Sequence, residues 1–325
     1  MKTRRVVFFL VPDFSMIAFS SAIEPLRLAN RYAAQPLYEW TVVSNDGAPV
    51  RASNGVAVSA DISLDNIRNE TAVGIKPDMA LVCAGLAVEK FSSPRLNGWL
   101  RSMSRANVAV GGLCTGAAVL ADADLLDGKN CAIHWENLPG FAERYPTANV
   151  HADLFEIDEN IYTCAGGTAA LDLMLHLIGE QQGEQLQTKV CEGALTDRVR
   201  NPQDRQRLPL RARLGVFNTK LLMIIELMEA NISEPLTLAE LSKYAGLSRR
   251  HIERLFQSNL GRSPARYYLE IRLERARNLL IQSSMPVVEV AVACGFVSAS
   301  HFSKCFREMY GRSPQMERVQ MAMAV

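Results

Sequence analysis

Strand-length segments alternate with helical stretches over the first half of the chain. The strand-length segments cover residues 6–11, 38–44, 79–83 and 108–113, and helical spacing fills 15–33 and 96–105. The segments 6–11 and 79–83 are continuously apolar, which is typical of strands that are buried on both faces of a sheet. Because strands that alternate with helices form layered folds, the pattern predicts an α/β domain with a mainly parallel sheet.

The last third of the chain has helical spacing and contains the same unit twice. Gly246 and Gly295 occupy the same place in the two copies and lie 49 residues apart, whereas Pro264 and Pro314 lie 50 apart. The second copy therefore has one extra residue in its turn. A repeat of this period indicates the architecture of the whole segment.

Each copy has the sequence of a helix-turn-helix. Thr237 followed by Glu240 is a capping box that begins a short helix. Gly246 permits the positive φ of a tight turn, and Ser248 caps the next helix. The helix at 265–282 between the copies would be about 27 Å long at ~1.5 Å per residue. Such a strut would let two recognition helices enter successive major grooves, about 34 Å apart.

The second helix of each copy has a polar face with basic residues, opposite its apolar face. The outward residues are Arg249, Arg250, Glu253, Arg254 and Gln257 in the first copy, and Ser300, His301, Ser303, Lys304 and Arg307 in the second. An all-helical protein-interaction domain is the alternative. It explains a duplicated helix-turn-helix with basic faces less well, so the pattern favours double-stranded DNA as the partner.

Charge divides the chain in the same way. The 325 residues have a net charge of +1, but from Leu210 onward there are 16 Lys and Arg against 10 Asp and Glu, a net +6. The part of the chain before Leu210 has 19 Lys and Arg against 24 Asp and Glu, a net −5. A chain of this length is too long to fold around one ordinary hydrophobic core. We therefore expect an acidic body that carries a basic nucleic-acid module.

The cysteines and the amino terminus indicate a cytoplasmic protein. The seven cysteines form no CxxC pair and no metal-type spacing with histidine, so reduced thiols and no metal are expected. The apolar run 6–11 is interrupted by Pro12 and lacks a signal-peptide cleavage site, and no stretch is long enough to span a membrane. No nucleotide-binding glycine motif occurs, so no cofactor is expected.

Cys114 is the main candidate for chemistry. It lies between small residues at a predicted strand-to-helix turn, which is the form of a nucleophile elbow. The helix amino terminus would favour the thiolate. His134 follows 20 residues downstream, and Glu24 is the available carboxylate. A small buried cysteine beside a structural histidine fits the same residues, and the two interpretations stay open at this stage.

The carboxyl-terminal part closely resembles the AraC-family DNA-binding domain over residues 220–318. The residues that carry the resemblance are Ala293-Cys-Gly-Phe296, Ser300-His-Phe302, Phe306 and Gly311-Arg-Ser-Pro314. By position in that motif, the resemblance implies base or phosphate contacts for Arg250, Glu253, Arg254, Ser300, His301, Ser303 and Lys304. It also implies RNA polymerase as a protein partner.

Residues 5–180 resemble the PfpI-like, class I glutamine-amidotransferase-like domain, which has a flavodoxin-like sheet. The resemblance rests on Glu24-Pro25, Gly112-Leu-Cys114-Thr-Gly116, His134-Trp135 and Ala165-Gly-Gly-Thr168 with Ala170-Leu-Asp172. Enzymatic relatives use a Cys, a His and an acidic residue, here Cys114, His134 and Glu24. PfpI-type proteases place His directly after the nucleophile, where this chain has Thr115.

The combined resemblance implies a regulator that senses a small metabolite. Similar regulators control catabolism of arginine, carnitine, glycine betaine and related nitrogen compounds, so an amino acid or quaternary amine is the expected effector. The predicted ligand-binding residues are Glu24, Cys114, Thr115, His134 and Trp135. The indole of Trp135 suits a quaternary ammonium by cation–π attraction.

The sequence thus predicts a sensor domain at 1–183, a linker at 184–215 and a DNA-binding domain at 216–325. We expect a ligand-responsive transcription regulator, an activator rather than an enzyme, that forms a homodimer and has no membrane partner. Two alternatives remain: a thiol hydrolase or amidase fused to a DNA-binding domain, and a redox sensor that uses Cys114.

Overall fold

The computed structural model describes residues 2–86, 88–91, 93–283 and 285–323. The chain forms two compact units, Met1–Gln206 and Arg207–Val325. The boundary lies inside the segment predicted as a linker, and the predicted limits 1–183, 184–215 and 216–325 stay predictions. No helix in the described ranges has the length and apolarity needed to cross a membrane.

A seven-stranded sheet organises the first unit. Its strands, with those of two small two-stranded sheets, are β1 (Arg4–Leu10), β2 (Tyr38–Ser44), β3 (Val50–Arg51), β4 (Ala57–Val58), β5 (Ile62–Ser63), β6 (Met79–Cys83), β7 (Ala109–Leu113), β8 (Asn130–Ala132), β9 (Asn149–His151), β10 (Phe155–Asp158) and β11 (Ile161–Cys164). The order in the large sheet is β10-β11-β7-β6-β1-β2-β5. Its neighbours pair in parallel except β10 with β11, which confirms the predicted α/β fold.

Alternating side chains of β1 separate the two cores that cover the sheet. Val6, Phe8 and Leu10 belong to one core, and Val7 and Phe9 belong to the other. The first core is completed by α1 (Met16–Tyr32), α6 (Ala169–Gln182) and α7 (Glu184–Gly193), and the second by α2 (Leu64–Ala72), α3 (Pro94–Arg105), α4 (Gly116–Asp122) and α5 (Leu138–Arg144). Burial on both faces accounts for the continuously apolar strands.

The second unit is helical and contains the predicted duplication. Its helices are α8 (Leu210–Leu214), α9 (Thr219–Ala230), α10 (Leu238–Ala245), α11 (Arg249–Leu260), α12 (Pro264–Gln282), α13 (Val287–Ala293), α14 (Ala299–Tyr310) and α15 (Pro314–Met323). The capping box of Thr237 and Glu240 is present. Gly246 has φ 63° and Gly295 has φ 71°, as their turns require. The strut helix α12 connects the two helix-turn-helix units.

Arg272 on α12 holds the turn of the second helix-turn-helix. Its Nε and Nη2 donate to the carbonyls of Cys294 and Gly295 at 2.8 and 2.6 Å, and its guanidinium carbon lies 4.2 Å from the Phe296 ring centroid. A Cβ at Gly295 would lie 2.6 Å from the carbonyl oxygen of Ile232, in the loop before α10. The turn of the second helix-turn-helix is therefore held by the strut and by the loop before α10.

Candidate functional site

Cys114 occupies a strained turn between β7 and α4. Its φ of 62° is unusual for a residue with a side chain. Its backbone N–H donates to the carbonyl of Cys164 at 3.1 Å. A Cβ at Gly112 would lie 2.5 Å from the backbone nitrogen of Ala117, and one at Gly116 would lie 2.4 Å from the Val82 carbonyl oxygen. The turn thus has the geometry of a nucleophile elbow and tolerates only small neighbours.

The thiol of Cys114 is nevertheless protonated at neutral pH. The side chain is buried, and burial raises the pKa of this thiol to about 12, with a further contribution from Cys164. The backbone N–H of Thr115, at the amino terminus of α4, lowers the pKa of this thiol as expected, but by less than burial raises it. Desolvation outweighs the dipole of α4, which is only seven residues long. Its buried environment is that of an inert rather than a reactive cysteine.

Thr115 is committed to a structural hydrogen bond. Its hydroxyl donates to the carbonyl of Gly85 at 2.6 Å, and the residue is buried. A Cβ at Gly85 would in turn lie 2.2 Å from the carbonyl oxygen of Asp13. Thr115 therefore ties the elbow to the loop after β6, and sequence reasoning did not identify Gly85 as part of the site.

His134 and Trp135 adjoin the elbow. The backbone N–H of His134 donates to the Cys114 carbonyl at 3.4 Å, and the ring lies 5.7 Å from the Trp135 ring, between centroids. Burial lowers the pKa of His134 more than the carboxylate of Glu136, 3.9 Å from its Nδ1, raises it. The imidazole is therefore neutral at pH 7 and combines with Trp135 in a half-buried aromatic wall.

Glu24 is the remaining predicted ligand-binding residue. It is exposed on α1, and its carboxylate pairs with the guanidinium of Arg27 at 2.6 Å. The structure thus brings together Cys114, Thr115, His134 and Trp135, whereas the ligand-binding role of Glu24 stays a prediction. Within the described ranges, no cluster of His, Cys, Asp and Glu has the arrangement of a metal site.

The predicted DNA-contacting face of α11 is accessible. Ile252, Leu255 and Phe256 are buried beneath it. The predicted residues are all exposed: Arg249, Arg250, Glu253, Arg254 and Gln257. Several of them line an open depression of about 720 Å³ that also includes His251 and Ser263. The periodicity of the helix therefore places the basic side chains on the free surface, as a recognition helix requires.

On α14 the corresponding face is smaller and more neutral. Ser300, His301 and Lys304 are exposed and Ser303 is half-buried. His301 Nε2 lies 3.4 Å from Cys305 Sγ, so its ring is partly engaged with its own helix. An open depression of about 430 Å³ is lined by Ser300, Ser303, Lys304, Arg307 and Glu308. Arg307 belongs to the face that the sequence predicts as outward, and Glu308 extends that face beyond the predicted residues.

Known protein families match both units. The DJ-1/PfpI family matches residues 4–180, and a helix-turn-helix domain matches residues 241–319. The chain is 45% identical to the HTH-type transcriptional regulator GbdR of Pseudomonas aeruginosa, over 96% of this chain and 83% of GbdR. It is 44% identical to the HTH-type transcriptional regulator CdhR of the same species, over 96% and 90%.

A solved structure of a transcriptional regulator is also similar to this chain. The AraC family transcriptional regulator from Pseudomonas putida is 30% identical and superposes with a TM-score of 0.53. The match covers 59% of this chain and all of the solved chain.

The raised pKa predicts slow alkylation of Cys114. Since the thiolate is the nucleophile, a pKa of about 12 leaves on the order of one thiolate in 10⁵ at pH 7. Iodoacetamide labelling of Cys114, followed by mass spectrometry of the folded protein, should rise about tenfold per pH unit from pH 7 to 9. N-acetylcysteine is the control. A plateau near pH 7 would contradict the protonated thiol.

The exposed helix faces predict two kinds of DNA contact. Arg250→Ala and Arg254→Ala should each cost about 1–3 kcal/mol at the cognate site if the guanidinium contacts a guanine edge. Lys304→Ala should weaken specific and non-specific binding alike and reduce the salt dependence, as loss of a phosphate contact does. Band-shift titrations at several salt concentrations measure both effects. Unchanged affinity in all three variants would exclude this docking face.

Proposed function

The chain belongs to the DJ-1/PfpI-containing, AraC-type transcriptional regulators, and we propose that it binds a small nitrogen-containing metabolite at the elbow of its first unit. It is a sequence-specific DNA-binding regulator. In our proposal the effector controls an activator of catabolic genes, located in the cytoplasm, with RNA polymerase as its protein partner.

The protonated thiol of Cys114 is the observation that carries the binding role. A hydrolase of this fold needs an activated sulfur with a base within about 3 Å and an acidic residue to orient that base. Here Thr115 donates its hydroxyl to Gly85, and Glu24 pairs with Arg27. These engagements support a pocket that binds its ligand without turning it over. The same burial weighs against a redox sensor, which needs an accessible thiol of low pKa.

The wall beside the elbow supports a cationic effector. Trp135 and the neutral ring of His134 present aromatic faces, and the carboxylate of Glu136 is close by. A quaternary ammonium is attracted to aromatic faces, and a neighbouring carboxylate adds Coulombic attraction. The carboxylate of Glu24 would contribute in the same sense if a bound ligand replaces Arg27 as its partner.

The predicted homodimer would form through residues 1–200. A dimer would place two DNA-binding units on paired sites, as symmetric assemblies require. Light scattering at micromolar concentration should give twice the chain mass of 35.9 kDa for the full-length protein. A truncated chain of residues 207–325, if it folds, should stay monomeric. A monomeric mass for the full-length chain, with and without glycine betaine, would refute the dimer.

Variants of the elbow should separate ligand binding from catalysis. His134→Ala and Glu24→Ala should each shift the effector concentration for half-maximal induction about tenfold. A hydrogen bond from the His134 ring to a charged carboxylate of the ligand is worth about 1.5–3 kcal/mol, and the Glu24 carboxylate attracts the cationic nitrogen of the ligand. Cys114→Ala should leave induction largely intact, since its sulfur does no covalent work. The matched control is Glu39→Ala, which removes an exposed carboxylate on β2.

A thermal-shift screen with glycine betaine, carnitine and arginine should identify the compound, since a ligand stabilises the fold that binds it. The induction measurements then use a reporter fused to a bound promoter. Complete loss of induction in Cys114→Ala, with folding and DNA binding preserved, would instead support a covalent or redox role.

A further inference from the structure

Residues 199–206, which we call the strap, are the last residues of the first unit before Arg207 begins the second. The strap contains neither helix nor strand. Segments of this kind are usually held weakly and open easily. This one is instead attached to the first unit at three places along its length, through side chains and backbone.

Arg200 makes the first attachment. Its backbone N–H and Nε donate to the two carboxylate oxygens of Asp172 at 2.9 Å each, and Nη2 donates to Oδ2 at 2.6 Å. Nη2 also donates to the Thr168 hydroxyl at 2.8 Å. Asp172 is buried in the first turn of α6. Charge-assisted, multidentate bonds of this kind are among the strongest that side chains make.

Pro202 and Gln206 make the other two attachments. The Pro202 carbonyl accepts from the backbone N–H of Leu154 at 2.8 Å. Gln206 Nε2 donates to the carbonyls of Ile133 at 3.0 Å and Asp153 at 2.7 Å. The Gln206 Oε1 atom is shielded from solvent and has no hydrogen-bond partner within the described ranges. An unsatisfied acceptor makes this end of the strap the easier one to release.

Both ends of the strap are attached next to the elbow. Ile133 directly precedes His134, whose backbone N–H donates to the Cys114 carbonyl. At the other end, Thr168 and Asp172 follow Gly166, where a Cβ would lie 2.5 Å from the Cys114 Cβ. A ligand that displaces the segment at His134 or the segment at Gly166 must therefore strain a strap contact or relieve one.

We propose that the strap is a segment that docks on the sensor, and that effector occupancy of the elbow and strap docking bias each other. The coupling rests on the proposed function, whereas docking itself does not. Coupling of two events is reciprocal, so docking also tunes effector affinity. When the strap is released, its eight residues add up to about 28 Å of extended chain between the sensor and the DNA-binding unit. Occupancy thereby changes the region that the DNA-binding unit can reach.

Limited trypsin digestion tests docking without any effector or DNA. The strap contains two cleavage sites, after Arg200 and Arg205. Asp172→Asn removes the charge that holds Arg200 and should speed cleavage at these sites about tenfold or more, because cleavage follows the open population. The matched control is Asp197→Asn, an exposed carboxylate just before the strap. Equal rates in the two variants would overturn docking.

Gln206→Ala is a second test of docking in case Asp172→Asn does not fold. It leaves the buried ion pair of Arg200 and Asp172 intact. Its cleavage after Arg205 should rise severalfold over Asp197→Asn at an unchanged melting temperature. An unchanged rate would remove the Gln206 attachment from the proposal.

Coupling is tested by repeating the wild-type digestion with glycine betaine, carnitine or arginine. A compound that raises the melting temperature should change the cleavage rate in the strap at least threefold, and Asp172→Asn should abolish that change. Stabilisation without a change in cleavage would overturn the coupling while upholding the proposed effector. If no compound stabilises the protein, the proposed effector class fails, and the comparison of Asp172→Asn with Asp197→Asn still decides docking.

Discussion

The close approach of backbone segments at the Cys114 elbow constrains the arrangement of the first unit. Gly112, Gly116 and Gly166 each lie where a Cβ would come within 2.5 Å of a neighbouring atom. Interiors packed this densely do not yield by small adjustments. The positions of β7, α4 and the segment before α6 are therefore set together, and Cys114 retains a left-handed backbone because its surroundings determine it.

The same packing sets the protonation state of the Cys114 thiol. A cysteine at a strand-to-helix turn is expected to be reactive when a helix dipole or a cation stabilises its thiolate. At Cys114 the desolvation of a thiol among buried neighbours dominates instead, and the pKa rises to about 12. An elbow can thus keep its shape while its thiol stays protonated. For a regulator this is an advantage, because a sensor that consumes its signal cannot report the concentration of that signal.

The sequence predicts most of the fold but only part of the site, because the fold follows from local patterns and much of the site depends on contacts between distant residues. Apolar runs and the duplicated unit are local patterns, so the strands and both helix-turn-helix units follow from them. Helical phase also places Glu24 away from the buried Ala22 and Leu26. By contrast, Arg200 meets Asp172 across 28 residues of chain, which no local pattern encodes.

The organisation of the DNA-binding unit limits where regulation can act. Arg272 fixes the second turn on the strut, and Gly295 packs against the loop before α10, so the second turn has little freedom to move. Glu317, fully buried at the start of α15, also pairs with Arg277 on the strut at 2.7 Å. Breaking this pair would leave a buried carboxylate with less compensation, so an effector has little leverage inside this unit. In the proposed function, effector binding would therefore act on the unit as a whole, and the chain before Arg207 is the covalent route for that action.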